Sequence, residues 1–90
     1  MSARLPNAPF TVQLSKAAEQ QLRGLNQELQ QQLLVALMRL RDTGEGDVAY
    51  LKGNLVGYLR LRVGQFRVVF TLEQRVLIVD RIGNRKDVYE

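Results

Sequence analysis

Three arginines carry the densest chemistry in this chain. Arg60 and Arg62 stand two residues apart, and side chains two apart on an extended segment project from one face. Arg67 follows across a short turn, and the period of two can place it on that same face. Three guanidiniums gathered so closely repel one another, because like charges facing each other across a sheet destabilise it. A phosphate would relieve the repulsion and accept paired hydrogen bonds from a planar guanidinium. The alternative is a solvated outer face whose arginines cover apolar neighbours. Further along, Arg85, Lys86 and Tyr89 add two cations and a phenol. Tyr89 can stack on a base, trade a proton or pack on the sheet.

The absences narrow the chemistry. Among 90 residues there is no histidine and no cysteine. That excludes disulfides, thiolate nucleophiles, sulfur-bound zinc and the usual general base of a neutral-pH enzyme. Any catalysis must draw on Lys, Arg, Tyr, Asp, Glu, Ser or Thr. Thirteen basic residues against nine acidic give a formal charge of +4. The excess is uneven: residues 1–45 hold five basic and four acidic side chains, residues 46–90 eight and five. The window 52–70 contains Lys52, Arg60, Arg62 and Arg67 and no acid. Such a concentration suits a polyanionic partner, although a total this modest equally fits a solvated basic surface. No apolar run approaches the roughly 18 residues of a membrane span. Residues 1–9 lack the apolar core of a secretory leader. A cytoplasmic location without a membrane partner is expected.

The elements that must position these residues can be read from periodicity. Residues 1–9, with Pro6, Asn7 and Pro9, read as a loose N-terminal arm, and residues 10–90 as a single domain. Residues 10–14 alternate, with Phe10, Val12 and Leu14 inward, and read as a strand. Ser15 can cap a helix with Glu19 near its positive end, Ala18, Leu22 and Leu25 on one face, and Gly24 at its close. Asn26 can cap a second helix, in which Leu29, Leu33, Leu37 and Leu40 recur at helical spacing beside Ala36. Residues 43–47, with two glycines, end it. Residues 56–63 and 65–72 alternate as strands, joined at Gly64-Gln65 by a two-residue turn with glycine where a II′ turn requires it. Residues 76–82 are almost wholly apolar and read as a buried central strand. The expectation is an α+β fold of order βααβββ. Its two N-terminal helices pack on one face of a mostly antiparallel four-stranded sheet, and the arginines lie on the other.

Two segments carry a resemblance. Residues 51–70, LKGNLVGYLRLRVGQFRVVF, together with residues 80–89, DRIGNRKDVY, resemble the RelE toxin family of the RelE/ParE toxin–antitoxin superfamily. The stretch FTVQLSKAAEQQLRGLNQELQQQLLVALMRL resembles that family's first strand and helical hairpin, so the likeness covers about residues 10–89. It implies the toxin of a type II toxin–antitoxin system: a ribosome-dependent, metal-independent endoribonuclease, or mRNA interferase. Such an enzyme cleaves messenger RNA by attack of the RNA's own 2′-OH on the adjacent phosphate. The nucleophile belongs to the substrate, which explains how a chain without His or Cys could cut RNA. No cofactor and no metal is implied. The implied partners are a cognate antitoxin, the ribosome with messenger RNA in its A site, and operator DNA only through the antitoxin complex.

Residue by residue, the resemblance implies that Arg67 grips the scissile phosphate and Arg60 stabilises the developing charge. Arg85 stands near the leaving 5′-oxygen, and Tyr89 stacks or assists proton transfer. Lys52 and Arg62 hold the RNA backbone, with Lys86 among the RNA-binding cations. Arg81 either joins them or only pairs with Asp80. Tyr58 stands where the family's best-known member has a lysine implicated in activating the 2′-OH, and the resemblance leaves Tyr58 to replace it. Asn26 stands where many relatives have proline and remains a good cap. The alternative function is that of a ParE-like toxin, which shares the fold but inhibits DNA gyrase without cutting RNA.

Overall fold

The computed structural model describes residues 3–84. Seven strands and two helices follow in order: β1 Ala3–Arg4, β2 Thr11–Leu14, α1 Lys16–Arg23, α2 Gln27–Thr43, β3 Glu45–Gly46, β4 Val48–Tyr50, β5 Leu59–Val63, β6 Phe66–Glu73 and β7 Val76–Asn84. A 3₁₀ turn at Gly53–Leu55 joins β4 to β5.

Both helices start where the sequence offers a cap. Ser15 Oγ accepts from the Ala18 N–H at 3.0 Å, and Asn26 Oδ1 accepts from the Leu29 N–H at 2.9 Å. Each satisfies a donor that the first helical turn would otherwise leave without a partner. Helix α2 stops at Gly44, whose left-handed φ of 77° suits a residue without Cβ. A side chain there would also meet the Leu5 carbonyl oxygen at 2.3 Å.

The main sheet runs β2-β7-β6-β5-β4, with β2 parallel to β7 and the other neighbours antiparallel. Gly64 takes φ 61°, the positive first position that the tight β5–β6 turn needs. One face of the sheet presents Leu59, Leu61, Val68, Phe70, Leu77, Val79 and Ile82. Ala18 and Leu22 of α1 and Leu33, Leu37 and Leu40 of α2 close onto it in one core. Burying this apolar surface is the main stabilising term, at about 25 cal/mol for each Å² removed from water.

Three expectations need correction. The sheet has five strands, not four, because Val48–Tyr50 pairs with β5. Three residues are too short for a period-two pattern to register. The segment expected as a loose arm is anchored over its described part. Ala3–Arg4 pairs with Glu45–Gly46, Leu5 is buried and donates its N–H to Gly44 O at 2.7 Å, and Arg4 is ion-paired with Glu45. Leu5 supplies the burial that holds this segment down. The strand expected from residue 56 begins at Leu59, the 3₁₀ turn and Gly57 (φ 96°) taking up the preceding residues.

Strand β7 carries the one register shift. Val69 lies opposite Arg81 and Phe70 opposite Val79, so Asp80 is an extra residue in the ladder. Such a bulge re-aims the side chains that follow it. Here it puts Ile82, not Arg81, into the core. Beyond the end of β2, α1 covers the edge of β7. Ser15 Oγ donates to Asp80 O at 2.6 Å, and Gln21 Oε1 accepts from the Ile82 N–H at 2.6 Å.

Candidate functional site: an arginine-bearing sheet face

The sheet register sets the arginines in two adjacent rows. Arg60, Val69 and Arg81 lie side by side across β5, β6 and β7, and Arg62, Arg67 and Gly83 form the next row. All four arginines stand on the face opposite the core. Arg60, Arg62 and Arg67 are gathered there by simple alternation. Arg81 reaches the same face because of the Asp80 bulge. Val69 is 1% exposed yet lies outside the main core, an apolar residue buried between two arginines.

The four cations are not equivalent. Arg67 is the buried charged residue of the described chain, at 7% exposure. Its Nη1 donates to Gly64 O at 3.4 Å and to Phe66 O at 3.1 Å. No carboxylate among the described residues pairs with it. Its Nε and Nη2 donate to no described group. The Nε–Nη2 edge offers two parallel N–H donors, the geometry that takes an oxyanion bidentately. Burying a cation without a counter-charge is unfavourable, so this arrangement is one that an incoming anion would improve.

Arg60 and Arg62 are held by an acid that the sequence reading did not include. Asp47, between β3 and β4, accepts from Arg62 Nε at 2.6 Å and from Arg60 Nη1 at 3.3 Å through its carboxylate. Its backbone carbonyl accepts from the Arg60 guanidinium at 3.0 Å and from the Arg62 N–H at 2.9 Å. Partial burial pushes the Asp47 carboxyl up and is the largest single influence. The hydrogen bonds from Arg62 and Arg60 and the charge of Arg62 together outweigh it and hold the group below the usual 3.8. The nearest acid to the cluster in sequence is Glu73, but the acid seated on Arg60 and Arg62 is Asp47. The only cue was its place just before the acid-free window, and without a recognised β4 nothing linked it to β5. Asp80 instead pairs with Arg81 at 2.8 Å.

Other expected site residues lie apart from these rows. Lys52 is exposed at the start of the 3₁₀ turn and makes no side-chain cap there. Tyr58 is half-buried just before β5, its backbone N–H donating to Leu55 O at 3.0 Å. Arg85, Lys86 and Tyr89 lie outside the described residues. Among the described residues, no three His, Cys, Asp or Glu side chains gather as a metal-binding group. No described helix is long and apolar enough to cross a membrane.

Solved structures share this fold. The chain is similar to a chain of the YoeB–YefM complex from Staphylococcus aureus, with a TM-score of 0.70, 20% identity, and coverage of 87% of this chain and 99% of that one. It is similar to a chain of the toxin–antitoxin complex RelBE2 from Mycobacterium tuberculosis, with a TM-score of 0.65, 20% identity, and coverage of 87% and 100%. YafQ from E. coli aligns with a TM-score of 0.63 and 15% identity over 90% of this chain and 99% of that one. At such identities the likeness is one of fold. No curated protein matches the chain by sequence. The family model of the ParE toxin of the type II toxin–antitoxin system matches residues 12–89. The chain therefore belongs to the ParE toxin family of type II toxin–antitoxin systems, within the RelE/ParE superfamily that residues 51–70 and 80–89 resemble.

Proposed function

We propose that this toxin is a ribosome-dependent endoribonuclease that cuts messenger RNA without a metal. Arg67 carries the reading: it is a buried guanidinium with no carboxylate partner among the described residues, and its Nε–Nη2 edge donates to no described group. It sits directly across the strands from Arg62. A guanidinium with no carboxylate partner among the described residues is suited to take a phosphate oxyanion through paired N–H donors.

The reaction is displacement at phosphorus. The ribose 2′-OH loses its proton as O2′ bonds to the adjacent phosphate. The P–O5′ bond breaks, and the departing 5′-oxygen gains a proton. The toxin's task is to orient the phosphate and stabilise the charge on its oxygens. Arg67 grips the scissile phosphate, and Arg60, one row away, spreads the developing charge. Arg62, Arg81 and Lys52 hold the flanking backbone, with Lys86 beyond the described residues. Tyr58, Arg85 and Tyr89 are the candidates for handling the two protons. A chain without histidine is poor in acid–base groups. Alignment by the ribosomal A site, worth about 7–11 kcal/mol of barrier in well-oriented reactions, then supplies what the protein lacks. The setting is the cytoplasm. The natural partner is a cognate antitoxin, as in the RelBE2 and YoeB–YefM complexes, and operator DNA is reached only through that complex.

A second reading is favoured by the matching family model, which is that of ParE: inhibition of DNA gyrase with no RNA cleavage. Two assays separate the readings. Primer extension on translated messenger should show discrete cuts, far faster than on the same RNA free of ribosomes, and the cuts should persist with a chelator while ribosomes stay assembled. Gyrase supercoiling should be unaffected. Supercoiling inhibition without cuts would establish the second reading. Equal cutting of naked RNA would point to a self-sufficient ribonuclease.

A further inference from the structure

We propose that Asp47 is a positioning residue that occupies Arg60 and Arg62, so that an arriving RNA phosphate is taken first by Arg67. This rests on the reading of the arginine face as an RNA-binding surface.

The geometry is that of an internal anion. Both carboxylate oxygens of Asp47 are engaged, one by each arginine. Its backbone carbonyl binds the same two residues. The carboxylate is therefore held from both ends, and it is only 25% exposed. Arg60 and Arg62 are 20% and 43% exposed, open enough to be reached once Asp47 yields. Arg67, paired across the strands with Arg62, has no described acid. Among the described residues, three arginines and one carboxylate leave a net charge of two, and of the three arginines Arg67 is the one that no carboxylate pairs with. A phosphate that approaches at random meets one guanidinium that no described carboxylate holds. Only a backbone whose next phosphate is presented along the row can exchange Asp47 for itself at Arg60 and Arg62. The acid thus lowers affinity for arbitrary RNA and favours a strand already held in register.

Removing the charge at constant shape tests this. Binding of a short single-stranded 2′-O-methyl RNA, which lacks the attacking hydroxyl, is measured against salt without ribosomes. Asp47→Asn should bind about tenfold tighter than wild type at moderate salt, and its log–log salt slope should steepen by about 0.7 for each guanidinium freed. Adding Arg60→Gln and Arg62→Gln to Asp47→Asn should abolish the gain. Wild-type binding weakened by Arg67→Ala, with no tightening and no steeper slope in Asp47→Asn, would overturn the proposal. So would a gain that survives removal of both arginines, because it would then be a general effect of net charge. No binding by either protein would reject the underlying RNA-binding reading instead. A measurement on wild type covers the case in which Asp47→Asn fails to fold. Titration with inorganic phosphate, followed on arginine Nε–H resonances, should move Arg67 at lower concentration than Arg60 or Arg62. Simultaneous movement of all three, or earlier movement of Arg60 and Arg62, would refute it.

Discussion

The two faces of the five-stranded sheet bury residues for opposite reasons. On the core face, Leu61, Val68, Phe70, Leu77 and Val79 are sealed under two helices. The side chains there are apolar, and their packing stabilises the fold. On the other face Arg67 is nearly as buried, at 7% exposure, but it is a cation, and no carboxylate among the described residues pairs with it. A domain of this size has only about 5–15 kcal/mol of net stability to spare. A buried cation with no acid among the described residues is one that a bound anion would stabilise. The apolar core and the arginines are therefore divided between the two faces of the same strands.

That division can be broken from either side. The largest effect should come from the core. Phe70→Ala removes a fully buried ring and should cost about 3–5 kcal/mol in chemical denaturation, taking activity down only as far as the folded fraction falls. Arg67→Ala should do the reverse. Loss of one preorganised electrostatic donor typically costs about 10²–10³ in rate, so messenger cutting and growth arrest should collapse while the denaturation midpoint moves far less than for Phe70→Ala. A folded Arg67→Ala that still cut at the wild-type rate would remove this residue from the site.

How much of this was legible in the sequence follows the same division. The leucine stripe of α2 and the Ser15 and Asn26 caps are local signals, and the structure follows them. The β5–β6 hairpin was equally readable, because glycine at 64 and strict alternation on both sides leave one register. That placed Arg60, Arg62 and Arg67 on one face. What escaped was non-local or too short to repeat. β4 is three residues long. The anchored N-terminal segment depends on Leu5 meeting Gly44, 39 positions away. The Asp80 bulge hides inside an apolar run, VLIVDRI, whose hydrophobicity says nothing about which side chain points where. Asp47 was missed as a consequence of β4, since its partnership with Arg60 and Arg62 exists only once that strand is placed beside β5.

Smaller effects sharpen the comparison. Ser15→Ala should lower stability by about 1–3 kcal/mol, by stripping the α1 cap and leaving the Asp80 carbonyl without its partner, with RNA cutting otherwise intact at low temperature. A loss too small to measure would show that water replaces the hydroxyl. The smallest effect should appear in acid. Asp47 is held below its ordinary 3.8, so its contribution is present above that pH and is lost as pH falls through the lower folded value. Wild type should therefore lose stability below about pH 4 more steeply than Asp47→Asn. Parallel acid limbs for the two proteins would mean that the clamp contributes nothing to folding.

The Ser15 hydroxyl has one more consequence. It accepts from the Ala18 N–H and donates to the Asp80 carbonyl, joining positions 65 apart in the chain. The first turn of α1 and the irregular stretch of β7 thus share a single oxygen, and Gln21 adds a second tie to Ile82. Fraying of the helix start would leave the bulge without edge partners, and loss of the bulge would uncap the helix. The two form one cooperative opening unit, of the kind that native-state exchange resolves. Its β7 side includes Arg81, next to both Asp80 and Ile82. The helix start is thereby tied to the two residues that flank Arg81 in β7.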